Sequence, residues 1–409
     1  MRVLLLTSQL PYPPQSGGAL RVYGLIDSLH QAGHQVDLLS FGVGAVPSPL
    51  AERCGQVVLV PPPHRSKLAR LRDLALSSQP DIARRFWSDA YREALIHQLA
   101  NDYAVVQMES IEMTAYLGVI RQHSGNAVRI YDSFNAEYEL QRTMAQIDLK
   151  RPQRWIKGIY SLIQYRRLMR FEREVCDNVE AVIAVSQPDE EAFRQLAPAA
   201  KIFVVPNGIH VDRYAEPAAE QIDLGEAAIL FTGSLDYRPN VDAVIWFAES
   251  VLPLIRAQVP SARFLIVGRK PSAQVQALAD QHNGISVIAD VPAMQPYYAA
   301  AAVYVAPLRM GSGTRLKLLE AMASQRAIVA TTMGAAGLGV TSGRELIIAD
   351  EAAAFAQAVI TLLRDADQRR EMGAAGRTFV CQHYDWSALS PRLLQVYTEL
   401  QGNLKLNRE

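Results

Sequence analysis

The densest group of residues able to do chemistry lies between Pro307 and Ala323. Gly311 and Gly313 let the backbone approach a ligand closely. The amides of Gly313 and Thr314, opening a helix, would point at a diphosphate. Arg315 and Lys317 fall in the first helical turn, where the helix dipole disfavours positive charge. An anionic partner resolves that conflict, and so would plain solvation. Glu320 follows among apolar neighbours, where an unpaired carboxylate is costly. It reaches ligand hydroxyls or pairs with a nearby Lys or Arg. The Gly-Lys-Ser/Thr ending of a Walker loop is absent.

A second glycine pair, Gly17-Gly18, separates the first apolar run from a helix carrying Arg21, Val22, Leu25, Ile26 and Leu29. It either admits an anion at the helix N-terminus or is a plain strand-to-helix turn. It lacks the third glycine and the later acid of a dinucleotide fingerprint. Tyr131 to Tyr138 cluster Asp132, Asn135 and Glu137 just after a strand; Asp132 and Asn135 suit capping of the turn and the next helix. Glu109 follows another strand and divides evenly between a ligand role and a helix-start role. Residues 150–173 hold eight Lys/Arg against the single acid Glu172, interleaved with Trp155, Ile159, Tyr160, Leu162, Ile163, Tyr165, Leu168 and Phe171. Such a helix suits an anionic membrane surface. The composition favours a solvated helix whose apolar side packs on its own domain.

These residues need elements to hold them in place. Short apolar runs recur, from Val3–Leu6 to Ile202–Val205 in the first half and from Ala228–Phe231 to Leu346–Ile348 in the second. Each is followed by a helical stretch. Continuous apolar strands alternating with helices imply parallel sheets covered on both faces, and two sets of six or seven imply two doubly wound domains. The expected domains are 1–205 and 206–385, joined at Val205-Pro206-Asn207-Gly208, with a C-terminal helix over 386–409 able to pack back on the first. At 409 residues with 49% hydrophobic side chains, the chain can fill two cores. Lys+Arg and Asp+Glu are 41 each, and neither half departs from balance by more than one charge. That argues against a nucleic-acid partner. Cys54, Cys176 and Cys381 are odd in number and far apart, which fits a reducing compartment. The eight histidines have no ligand spacing, so no metal held by the protein is expected. No run reaches the length of a membrane span, and Met1 to Leu6 read as a buried strand rather than a signal peptide. A cytoplasmic location follows, with or without peripheral contact at the inner face of the plasma membrane.

The segment 307–323 resembles the donor-binding signature of the retaining glycosyltransferases of family 4 (glycosyl transferases group 1). The resemblance extends to Gly17-Gly18, to Val204 through Ile209, to Phe231 through Leu235 with Gly233, to Phe264 through Gly268 and to Asp290-Val291-Pro292. It implies the GT-B fold, an α/β architecture of two doubly wound Rossmann-like domains facing across a cleft. The second domain would hold a nucleotide-diphosphate sugar and the first the acceptor. By this resemblance Glu320 binds ribose hydroxyls, Gly313 and Thr314 bind the diphosphate, and Gly268 and Val291 lie around the nucleobase. Asn135 and Glu137 would line the acceptor side, with Asp132 and Glu109 in the same cleft as catalytic candidates beside Arg315 and Lys317. Ser312 stands where the family's first glutamate is usual, Ser234 where an Arg is common, and Phe134 where a histidine is often found. Arg238 is a nearby substitute for that Arg, and Arg315 and Lys317 can supply positive charge.

The resemblance implies transfer with retained configuration. The leaving diphosphate would be stabilised by Arg315, Lys317 and backbone amides, without metal or cofactor. The acceptor would be a glycan or lipid-linked molecule of cell-envelope or exopolysaccharide synthesis. No carboxylate nucleophile of the kind used by retaining hydrolases stands out. Two other classes stay open: a nucleotide-sugar-binding protein without catalysis, and an epimerase or hydrolase of the same fold.

Overall fold

The computed structural model describes residues 1–14, 16–66, 72–73, 77–149, 155–214, 222–310 and 316–406. Within them the apolar runs become two sheets in which every pairing is parallel. The first contains β1 (Arg2–Thr7), β2 (Gln35–Phe41), β3 (Gln56–Val60), β4 (Val105–Glu109), β5 (Val128–Asp132), β6 (Ala181–Ala184) and β7 (Ile202–Val204). Their order is β3-β2-β1-β4-β5-β6-β7. The second contains β8 (Ala228–Ser234), β9 (Arg263–Arg269), β10 (Ile285–Ala289), β11 (Val303–Ala306), β12 (Ala327–Ala330) and β13 (Ile347–Ile348), in the order β10-β9-β8-β11-β12-β13.

Both orders reverse direction beside their first strand, between β1 and β4 and between β8 and β11. These are the doubly wound arrangements the resemblance implies. Such a reversal leaves a crevice at the carboxyl ends of the strands, where ligands of open α/β sheets bind. The strands are largely apolar because helices cover both faces, with polar residues such as Glu109 and Asp132 at their carboxyl ends. In the second sheet Ile229, Phe231, Phe264, Ile266, Val303 and Val305 face one core layer, whereas Leu230, Leu265, Val267, Tyr304 and Ala306 face the other. That is the period of two expected of a strand buried on both sides.

The chain divides into one unit of Met1–Gly208 with Leu389–Glu409 and a second of Ile209–Ala388. The division after Gly208 falls at the end of the expected join Val205-Pro206-Asn207-Gly208, and the return to the first unit begins at Leu389 rather than 386. In the first unit the C-terminal helix Trp386–Leu406 is tied down by Tyr397, whose hydroxyl donates to Gln107, and by Ser390, which donates to Ser28. In the second unit the chain's beginning and end pair with each other: Ile209 bridges Asp385, and Trp386 N donates to Ile209 O.

Candidate functional site

In the first unit, the carboxyl ends of β1, β4 and β5 carry the polar residues of interest. Register pairs Glu109 with Asp132, and both point to the face covered by the helix Gly17–Gln31. Arg21 of that helix lies fully buried against Asp132. Its Nε and Nη2 reach both carboxylate oxygens at 2.6–3.1 Å. Its Nη1 donates to Val205 O, Pro206 O and Asn207 Oδ1 at 3.0–3.3 Å, fixing the chain where it leaves the unit. Gln107 spans the two carboxyls, donating to Glu109 Oε1 at 2.8 Å and to Asp132 Oδ2 at 3.3 Å.

Burial raises the carboxyl of Glu109 well above its usual range, and the neighbouring Asp132 adds to the rise. Burial raises Asp132 too, but Arg21 opposes this by charge and hydrogen bonding. Burial and the neighbouring carboxyl thus favour the neutral form of Glu109, while Arg21 favours the charged form of Asp132. Asp132 and Glu109, the expected catalytic groups, are thus placed together in one buried network. Asp132 is 0% exposed and held in an internal ion pair, and Glu109 is its buried neighbour. Glu109 Oε2, Thr7 Oγ1 and Ser110 Oγ are buried with no hydrogen-bond partner among the described residues. All three lie at the ends of β1 and β4, at the topological switch point.

The two loops singled out at the start of this unit meet. A Cβ on Gly18 would come within 2.7 Å of the Phe134 ring, so the glycine makes room for the aromatic. Gly17 is exposed at the start of its helix, whose N-cap is Ser16. Glu137 opens the helix Glu137–Leu149, and Asn135 Nδ2 approaches its carboxylate at 3.5 Å. Carboxylates from two other helices satisfy the first amides of that helix: Asp189 accepts from Ala136 N, and Glu172 from Glu137 N and Tyr138 N. Burial pushes Glu172 up to about 8, with Glu137 as the next cause. Burial and Glu112 push Glu137 up to about 7.

In the second unit, the reversal lies between β8 and β11. Gly233 near the end of β8 has φ +156°, and a Cβ there would meet Asn240 Nδ2 at 2.7 Å and Lys317 Nζ at 3.3 Å. Lys317, on the helix Leu316–Ala323, donates to Asn240 Oδ1 at 2.7 Å and sits 4.5 Å from the centre of the Phe231 ring. The ammonium is thus delivered to the end of β8 from the helix after β11. Gly268 is required by packing: a Cβ there would lie 1.7 Å from Gly233 O. Its expected place at a nucleobase is therefore joined by a plain steric reason. Arg238 is half-buried at the start of the helix Arg238–Trp246, and Val291 follows β10 half-buried. Ser312, Gly313, Thr314 and Arg315 lie outside the described residues.

Glu320 is half-buried, three residues after Lys317 on the same helix. Its Oε1 accepts from Tyr214 at 2.9 Å and its Oε2 from Tyr298 at 2.8 Å. Behind Tyr298 lie Thr232 and Tyr304, both buried. Burial raises the Glu320 carboxyl, and Tyr298, Tyr214 and Lys317 oppose the rise. Backbone strain collects at the same edges. Ser110 after β4, Lys270 after β9 and Asp290 after β10 all have φ between 51° and 74° without being glycine. Such outliers concentrate at functional sites.

Sequence reasoning overlooked Arg21 as a functional residue, and it overlooked Asn240, Thr232, Tyr214 and Tyr298. A signal existed for Arg21: it is the sole Lys or Arg between Arg2 and Arg53, and it falls on an otherwise apolar helix face. Among the described residues no group of three or more His, Cys, Asp or Glu could hold a metal ion. No helix there is long and apolar enough to cross a membrane.

Two family models match the chain: "Glycosyltransferase Family 4" over residues 15–213 and "Glycosyl transferases group 1" over residues 226–365. The chain is 20% identical to an uncharacterized 44.6 kDa protein in the cps region of Klebsiella pneumoniae, over 94% of this chain and 96% of that protein. It is 30% identical to a phosphatidyl-myo-inositol mannosyltransferase of Mycolicibacterium smegmatis, over 48% of this chain and 52% of that enzyme. The match therefore spans about half the length of this second relative. Among solved structures, a sucrose-phosphate synthase from Thermosynechococcus elongatus aligns with TM-score 0.69 at 19% identity, over 98% of this chain and 100% of that one. Anabaena HepE in complex with UDP and glucose aligns with TM-score 0.64 at 16% identity, over the same shares. These structural likenesses concern the fold, two Rossmann-like domains of GT-B type.

Proposed function

The chain belongs to the family 4, group 1 glycosyltransferases, and on that premise we propose that it moves a glycosyl group, with retained configuration, from a UDP- or GDP-sugar to a glycan or lipid-linked acceptor. The observation that carries this reading is the pairing on one helix of Lys317, seated at the end of β8 beside Gly233 and Asn240, with the half-buried carboxylate of Glu320. A cation and a hydroxyl-accepting carboxylate one turn apart fit the diphosphate and the ribose of one nucleotide.

In this reading Lys317, with Arg315, neutralises the charge that develops on the departing diphosphate, so the neutralising charge is the protein's own. Glu320 fixes the nucleotide. Neither Asp132 nor Glu109 is an exposed carboxylate nucleophile, which suits a front-face route in which the leaving phosphate takes the acceptor proton. The likeness to a protein of a cps region supports a polysaccharide acceptor.

The test is a thermal-shift screen against UDP, GDP, ADP and their common sugar conjugates, in wild type and Lys317→Ala. Ligand binding to the folded state raises Tm by mass action. The reading expects a shift with one nucleotide family, and about tenfold or more weaker binding in the variant, the scale of one charge-assisted contact. No shift with any of them, in a folded sample, overturns it. Sugar-nucleotide turnover without an acceptor would instead favour the hydrolase or epimerase reading.

One surface favours a membrane-adjacent, cytoplasmic placement. On the helix Trp155–Asp177, Trp155 and Ile159 are 59% and 54% exposed, and Ile163, Arg166 and Arg170 continue the same stripe. Residues 150–154 of the basic segment lie outside the described residues. Cosedimentation with vesicles containing phosphatidylglycerol, lost in Ile159→Glu, is the expected result. Equal partition of both proteins would remove this placement.

A further inference from the structure

The buried hydroxyls behind Glu320 have a fixed polarity. A carboxylate only accepts, so Tyr298 must spend its one proton on Glu320 Oε2. Its contact with Thr232 Oγ1, at 3.0 Å, therefore has Thr232 as donor. Thr232 has then spent its own proton, so its contact with Tyr304 at 2.9 Å has Tyr304 as donor. The chain runs Tyr304 to Thr232 to Tyr298 to Glu320, with every hydrogen directed at the carboxylate. Tyr214 donates to the other oxygen from the single turn Val211–Tyr214.

The chain spans β11, β8, the helix Gln295–Ala300 and the helix Leu316–Ala323. It lies at the reversal between β8 and β11. Thr232, Tyr298 and Tyr304 are buried, whereas Glu320 keeps part of its surface open. A carboxylate has about four lone-pair sites, two on each oxygen. One tyrosine on each oxygen leaves one site free on each, which matches the two hydroxyls of a vicinal diol.

We propose that Tyr214, Tyr298 and Thr232 are positioning residues that hold Glu320 as a two-point acceptor for a ligand diol, and so set the preference for ribose over 2′-deoxyribose nucleotides. The inference rests on the donor reading above. The phenols also favour the ionised form of Glu320. Tyr298 and Tyr214 counter the effect of burial, together with Lys317 on the same helix, while Tyr304 faces it from β11. Removing either phenol raises the carboxyl further, so ligand binding fails at a higher pH than in wild type.

Calorimetric titration of UDP, GDP and ADP against their 2′-deoxy counterparts, between pH 5 and 8, tests this. Wild type is expected to favour the ribonucleotide it binds by about tenfold or more, as for hydrogen bonds to a charged acceptor. Tyr298→Phe, Tyr214→Phe and Thr232→Val are expected to bring that ratio to within about threefold. In the two phenol variants the acid limb of binding should also move to higher pH. A loss of packing alone would weaken both nucleotides equally and leave the pH profile in place. Tyr214 is half-buried, so Tyr214→Phe decides the matter if Tyr298→Phe does not fold. A ratio and pH profile unchanged in Tyr214→Phe and Thr232→Val overturn the inference and leave the donor reading standing. So does a wild type that binds ribo- and deoxynucleotides equally. A wild type that binds none of the three nucleotides overturns both.

Discussion

Replacing Arg21 by methionine would remove the cation of the first unit's buried network while keeping much of the side chain's length. Asp132, at 0% exposure, would lose three hydrogen bonds from Arg21 and face Glu109 and Gln107 alone. Breaking one partner of a buried pair costs about 3–5 kcal/mol. An independent limit comes from proton binding, because Asp132 can take a proton rather than remain an unpaired charge. Protonating an ordinary Asp of pKa about 3.9 at pH 7 costs about 4 kcal/mol, at ~1.4 kcal/mol per unit. At pH 5 the same step costs about 1.5 kcal/mol.

The sign follows from linkage. In the variant the folded state binds a proton that the unfolded chain releases above about pH 4, so the penalty grows as pH rises and fades as it falls. Arg21→Met is therefore expected to cost about 4 kcal/mol at pH 7 and less than half of that at pH 5. Adding Asp132→Asn should remove most of this pH dependence. Urea unfolding followed by far-ultraviolet circular dichroism and by fluorescence measures it, with coincident transitions licensing the free energies. A cost equal at both pH values, or below about 1 kcal/mol, would show that the unpaired carboxylate is not what destabilises the variant.

Other outcomes follow from single contacts. Gly268→Ala places a methyl 1.7 Å from Gly233 O, so β8 and β9 must separate at their carboxyl ends. Melting should show a loss of at least about 2 kcal/mol, and nucleotide binding should weaken with it. Glu172 is raised to about 8 in the fold, while an unfolded Glu titrates near 4.3. The folded state thus holds the extra proton between those values, and wild-type stability should fall as pH rises through that window. Glu172→Gln should flatten that fall, which chemical denaturation at pH 5, 6.5 and 8 would reveal.

The two sheets were legible because burial on both faces leaves a local mark: unbroken apolar runs such as Val3–Leu6 and Phe264–Val267, separated by helices. The glycines at 233 and 268 were legible as marks of the family resemblance, although their contact with each other was not. Glu320 stood out because a carboxylate between Leu319 and Ala321 is a local anomaly. Asp132 and Glu109 stood out as polar groups at strand ends, but their partners did not. Arg21 lies 111 positions from Asp132 and Tyr214 lies 106 from Glu320. No period or spacing connects such residues.

The sequence by itself determined which segments become strands, which faces are buried and which loops carry unusual residue types, because those follow from the repeat of the backbone. Tertiary structure alone decided which buried polar groups meet. That depends on strand order and register, which put β4 beside β5 and β8 beside β11 and so bring distant side chains within hydrogen-bond reach. It is why Asp132 belongs to an internal ion pair, and why two tyrosines hold Glu320 with a threonine and a third tyrosine behind them.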